Sequence, residues 1–143
     1  MKFIFFGAGY CSRFIIPYLP KKWEIICTHK DKVIKQKEDK NLNLIRIYFK
    51  DFLTNKKALM ENVSFILNSI PPSQNGDIVL KNLTNLIKAN KKTLKWYGYF
   101  SSTSVYGNHN GNWVDENSSL NPTNTRGQLR LEAEENHLKL FKK

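Results

Sequence analysis

The stretch Phe3–Leu19, FIFFGAGYCSRFIIPYL, decides the fold. Four large apolar residues run without alternation into Gly7-Ala8-Gly9. A continuous apolar run suits a strand buried on both faces, as in a parallel sheet. After the glycines, SRFIIPYL places apolar residues on one helical face, and Pro17 should distort or end that helix early. A strand that enters a helix through two glycines poses a chemical question, because side chains are absent where the chain turns.

The rest of the chain repeats the pattern. WEIICT reads as a second strand, LNLIRIYF as a third, VSFILNSI as a fourth stopped by Pro71-Pro72, and LKWYGYFSS as a fifth. KKALMEN reads as a short helix. DIVLKNLTNLIKAN carries Ile78, Leu80, Leu83, Leu86 and Ile87 at helical spacing. RGQLRLEAEENHLKLF reads as a last helix, after a polar Gly/Asn-rich loop over 107–125. The charged stretch from His29 to Asn41 reads as a loop with a short exposed helix.

Strands alternating with helices imply parallel pairing through right-handed crossovers. We therefore expect one α/β domain over residues 1–143, with a doubly wound parallel sheet in the order 3-2-1-4-5.

At 143 residues and 41% hydrophobic, the chain can bury a core, and its 13% aromatic content argues against disorder. No apolar run approaches the roughly 18 residues of a membrane span. Glycines interrupt the N-terminal apolar run and no small-residue cleavage site follows, so it is not read as a secretory leader. The net charge of +11, from 23 basic and 12 acidic residues, suits an anionic partner. The lysines are spread along the whole chain and no DNA- or RNA-reading motif is present, so nucleic acid is not the expected partner. Cys11 and Cys27 have no metal-ligand spacing; both read as buried free thiols in a reducing cytoplasm, and no metal site is expected.

In a doubly wound fold the first strand-to-helix turn faces a dinucleotide pyrophosphate. Gly7 permits the tight turn, and a side chain at Gly9 would separate the phosphate from backbone N–H groups. Ser12 fills the third position of G-x-G-x-x-G and is small enough for close packing. An acidic residue at the end of the second strand would select NAD. Thr28-His29-Lys30 stand there instead, and a hydroxyl, an imidazole and an ammonium suit the 2′-phosphate of NADP better than the bare ribose of NAD.

GAGYCSR after the first strand, Asp51-Phe52 after the third and SSTSVYG after the fifth together resemble the extended or atypical short-chain dehydrogenase/reductases. That group includes NAD(P)-dependent sugar epimerases and dehydratases. The resemblance covers nearly the whole chain, but only the N-terminal part of such a protein, so the substrate-binding region would be missing.

It implies that Gly7, Gly9, Tyr10 and Ser12 surround the pyrophosphate, and that Asp51 and Phe52 meet the adenine. Ser69, Ile70 and Pro71 would lie along the central ribose. Ser102 matches the catalytic hydroxyl, with Thr103 beside it, positioned to stabilise charge on a reacting oxygen. The group's Tyr-x-x-x-Lys pair aligns with Arg126 and Arg130. Guanidinium has no proton to exchange at neutral pH, so the usual proton relay is not expected from Arg126. Tyr106 and His109 are alternative relay groups, histidine being the better suited residue type for a proton relay. Three readings stay open: an oxidoreductase or epimerase-like enzyme acting on an unknown small molecule, a catalytically silent dinucleotide-binding module, and, on charge alone, a basic nucleic-acid-binding protein. The free edge of the fifth strand is a place for a dimer or partner chain.

Overall fold

The computed structural model describes residues 1–31 and 42–141. Five parallel strands, β1 (Lys2–Phe6), β2 (Glu24–His29), β3 (Asn43–Tyr48), β4 (Val63–Asn68) and β5 (Trp96–Tyr99), form one sheet in the order β3-β2-β1-β4-β5. This is the expected architecture, and β1 sits at its centre because it is apolar on both sides. Ile4 and Phe6 join a cluster with Ile26, Phe49, Phe52, Ile66, Val79 and Leu83 on one face. Phe3 and Phe5 join Ala8, Ile16, Ile25 and Cys27 on the other. Period-2 alternation thus sends successive residues of one apolar run into two cores.

The helices are α1 (Ser12–Ile15), α2 (Phe49–Thr54), α3 (Lys56–Met60), α4 (Ile78–Ala89) and α5 (Thr125–Lys139). Pro17 acts as expected: α1 passes after four residues into a 3-10 turn, Ile16–Tyr18. Helix α2 departs from the sequence reading, which ran the third strand through Phe49. Phe49 and Phe52 are buried, and both rings meet Phe6 edge-on, at 6.2 and 5.2 Å. Burying such a ring contributes about 1.5–3 kcal/mol, which outweighs the strand preference of an aromatic residue.

The charged segment His29–Asn41 lies largely outside the described residues. Strand β5 is shorter than LKWYGYFSS suggested, and it pairs only with β4. Tyr97, Tyr99, Leu138 and Phe141 line a groove of about 310 Å³ along it. Among the described residues no helix is long and apolar enough to cross a membrane.

Candidate functional site

The carboxyl ends of β1, β2, β4 and β5 bring most of the predicted residues to one edge of the sheet. At the end of β1, Gly7 has φ +77°, a conformation that side chains disfavour, and a Cβ there would stand 2.8 Å from Ile70 Cγ1. Gly9 is different. Its φ lies outside the left-handed region, and among the described residues beyond its chain neighbours an added Cβ would meet only the Gly7 carbonyl oxygen, 3.9 Å away. Among the described residues, no backbone strain or crowding requires glycine at that position.

The turn is held from two sides. Gly7 N–H donates to Thr28 Oγ1 at 3.1 Å, and Ala8 N–H donates to the Thr28 carbonyl at 2.9 Å. Ser69 Oγ donates to the Gly7 carbonyl at 2.9 Å, which also accepts Gly9 N–H at 2.8 Å. Ser12 is buried, and its hydroxyl donates to the Gly9 carbonyl at 2.6 Å. Among the described residues, the amides of Tyr10, Cys11 and Ser12 have no hydrogen-bond partner.

Three of the predicted residues have side chains turned into the protein. Thr28 is fully buried, and its hydroxyl oxygen braces the turn. Ser12 packs beneath the turn and bonds its own chain. Phe52 is a core residue with no exposed surface, so its ring cannot meet an adenine; Asp51, in the first turn of α2, is exposed. Cys11 is exposed, against expectation, while Cys27 is buried and burial pushes its thiol up to about 12. Tyr10 is exposed at the turn, Ile70 closes over Gly7, and Pro71 is exposed behind it.

At the end of β2 the structure adds a residue that the sequence reading missed. Arg46 of β3 reaches across, and its Nη1 donates to His29 Nε2 at 3.2 Å. Burial, and then the Arg46 charge, lower the His29 pKa, which keeps the imidazole neutral and able to accept. Arg46 Nε is buried without a partner, and among the described residues no carboxylate pairs with this guanidinium. Lys30 is exposed next to it. The result is a small cationic corner at the carboxyl end of β2.

Beyond β5, Ser102 opens the 3-10 turn Thr103–Val105. Its Oγ accepts from Ser104 N–H at 3.3 Å and from Ser104 Oγ at 3.0 Å, which leaves its own proton free to be donated. Thr103 is exposed. Arg126 is exposed on α5. Arg130 is buried, and its Nη1 donates to the Phe100 carbonyl at 2.7 Å and to Tyr99 OH at 3.2 Å. His109 Nε2 lies 3.1 Å from the Tyr106 carbonyl and 3.2 Å from that of Ser119, so it donates to the loop and is not free for relay chemistry.

A buried polar cluster lies behind this edge. Asp77 caps α4, accepting from the amides of Val79 and Leu80 at 2.8 and 2.9 Å. Its other oxygen accepts from Asn68 Nδ2 and from His137 Nε2, both at 3.1 Å. The Tyr97 hydroxyl meets His137 Nδ1 at 2.8 Å. Burial pushes the Tyr97 hydroxyl far above the ordinary phenol range, with smaller contributions from Asp77 and Tyr99. A phenol so hard to ionise ties α5 to β5 and is unsuited to act as a base.

No family model matches the chain, and no curated protein does either. Solved structures do. A functionally unknown conserved protein from Silicibacter pomeroyi superposes with a TM-score of 0.71 at 29% identity, over 98% of this chain and 49% of that one. A dTDP-glucose 4,6-dehydratase from Bacillus anthracis, in complex with NAD, gives 0.69 at 17% identity, over 99% and 50%. A UDP-glucuronic acid 4-epimerase from Bacillus cereus, in complex with NAD, gives 0.67 at 18%, over 98% and 52%. The chain spans about half the length of the structures it matches. Its five-stranded parallel sheet, ordered 3-2-1-4-5, is the Rossmann-like fold that NAD-dependent epimerases and dehydratases carry in one half of their chains.

Proposed function

We propose that this chain binds NADP(H), as the dinucleotide-binding half of an oxidoreductase or epimerase-like protein. One observation carries the reading: Gly9 is neither strained nor crowded, so its missing side chain leaves room for something outside the protein. That room lies beside the unpartnered amides of Tyr10, Cys11 and Ser12, which are the donors a diphosphate would accept from. Helix α1 is too short to add much dipole, so these amides carry the contact. The solved neighbours crystallised with NAD support the class of ligand.

NADP is preferred over NAD because the corner at His29 and Lys30 is cationic and Arg46 lacks a carboxylate partner among the described residues. A 2′-phosphate supplies the missing anion. In this reading Asp51, exposed at the start of α2, would meet the adenine, and Ile70 and Pro71 would border the ribose side. When bound, the nicotinamide supplies hydride transfer. The chain's own part is to hold the diphosphate at the glycine turn and to donate a hydrogen bond from the free Ser102 hydroxyl to a substrate oxygen. Thr103 lies beside that hydroxyl, and Arg130 fixes the Phe100 carbonyl just before it.

Titration of the chain with NADPH and NADH tests this. NADPH should bind about tenfold or more tightly, and Arg46→Ala should remove most of that preference. Equal affinities, or a preference for NADH, would overturn the NADP assignment. If the chain turns over carbonyl substrates, Ser102→Ala should lower kcat by about 100-fold while leaving the NADPH dissociation constant unchanged.

A second reading, binding without turnover, is favoured by Arg126. It stands exposed where the resemblance requires a proton-exchanging tyrosine, and His109 is committed to two carbonyls. Retained turnover in the Ser102→Ala variant would place the chemistry elsewhere; NADPH binding with no turnover on any carbonyl substrate would favour this second reading.

A further inference from the structure

The β1–α1 turn spends its backbone groups in two consecutive sets. The amides of Gly7, Ala8 and Gly9 all go to protein acceptors: Thr28 Oγ1 at 3.1 Å, the Thr28 carbonyl at 2.9 Å and the Gly7 carbonyl at 2.8 Å. The amides of Tyr10, Cys11 and Ser12 have no partner among the described residues. The first set is rigid and the second is open, and two side chains mark the boundary. Thr28 holds the amide side of Gly7. Ser69 holds its carbonyl side, donating at 2.9 Å, while its own amide donates to the Phe6 carbonyl at 2.9 Å.

We infer that Thr28 and Ser69 are positioning residues for the dinucleotide: they fix the glycine turn in advance, so that three free amides face the diphosphate without reorganisation. The inference rests on the reading that this turn takes a dinucleotide, and it reassigns both residues from contact to support. Thr28 is fully buried at the penultimate position of β2. Strand alternation points it away from the face that carries His29 and Cys27. Valine has the same shape and equal liking for a strand. What threonine adds there is a hydroxyl, whose oxygen accepts from the amide of the single left-handed residue in the turn. A turn with φ +77° relaxes readily once its amide loses that anchor, and a ligand then has to restore it.

The test compares wild type, Thr28→Val, Thr28→Ser and Ser69→Ala in titrations with NADPH, NADH and ADP-ribose. Thermal melts and amide hydrogen exchange at Gly7 and Ala8 run alongside. Thr28→Val should weaken all three ligands by about tenfold, because all three carry the diphosphate, and should leave the NADPH-to-NADH ratio unchanged. Gly7 should exchange faster, and Thr28→Ser should restore both affinity and protection. Ser69→Ala, at a partly exposed position where folding is not at risk, should weaken the same three ligands together.

Wild-type affinities in Thr28→Val and Ser69→Ala would overturn the inference while leaving dinucleotide binding intact. A collapse of the NADPH-to-NADH ratio in Thr28→Val would also overturn it, by showing that the hydroxyl touches the 2′-phosphate. A lower melting temperature with unchanged affinity would reduce Thr28 to a packing role. A wild-type chain that binds none of the three ligands would overturn the reading of the turn itself, and this inference with it.

Discussion

Asp77→Ala is expected to destabilise the chain by about 3–5 kcal/mol, a fall of roughly ten degrees in melting temperature for a chain of this size. The carboxylate serves two structures at once. One oxygen caps α4 through Val79 and Leu80; the other accepts from Asn68 and His137 in a site closed to solvent. Losing the cap alone costs about 1 kcal/mol. The remainder comes from two buried donors left without an acceptor. Asp77→Asn keeps the cap and should recover about that first 1 kcal/mol. Urea unfolding followed by circular dichroism measures both. A loss of only about 1 kcal/mol in the alanine variant would show that Asp77 acts as a helix cap and nothing more.

The same carboxylate gives the fold a pH dependence with a definite sign. Burial alone would raise the Asp77 pKa. The hydrogen bond from His137, the Leu80 and Val79 amides and the charge on protonated His137 together outweigh burial and hold it below its ordinary 3.8. Its stabilising contribution is therefore complete above pH 3.8 and is lost as pH falls further, through the lower folded value. Wild type should lose stability in that acid window, and Asp77→Asn should lose much less there.

The sheet was legible because its evidence is local. Each strand of the interior is a run of apolar residues bounded by turn residues, and β1 with its two glycines announces the parallel sheet on its own. Pro17 marked the end of α1 for a reason that needs no tertiary context: its ring and missing N–H do not fit the interior of an α-helix, though they fit the first turn of the 3-10 helix that follows.

The site was less legible because its residues act through partners far away in sequence. Thr28 and His29 were read as one recognition element, although neighbouring strand residues must point to opposite faces. That much the period of a strand could have revealed. Arg46 could not be found this way: it looks like an ordinary polar residue of the third strand until the β2–β3 register brings it beside Cys27 and within reach of His29. The link from Asp77 to His137 spans sixty residues and closes only when α5 packs back on β5. Phe52 misled in the opposite direction, since its place after the third strand fits an adenine contact and only the packing of α2 takes it into the core.

Gly9→Val isolates the central claim because the substitution should be silent in the fold. Among the described residues, and apart from its two chain neighbours, only the Gly7 carbonyl oxygen comes within 4 Å of an added Cβ, and the backbone at Gly9 is outside the region reserved for glycine. Stability should stay within about 0.5 kcal/mol of wild type, helped by the smaller freedom of valine in the unfolded chain. A branched side chain at that point would fill the space next to the Tyr10, Cys11 and Ser12 amides. The decisive measurement is the dissociation constant of NADPH for wild type and Gly9→Val, taken with the melting temperature of each. The account predicts a loss of at least about 100-fold in affinity at an unchanged melting temperature. NADPH binding that is equally tight in both proteins would contradict it.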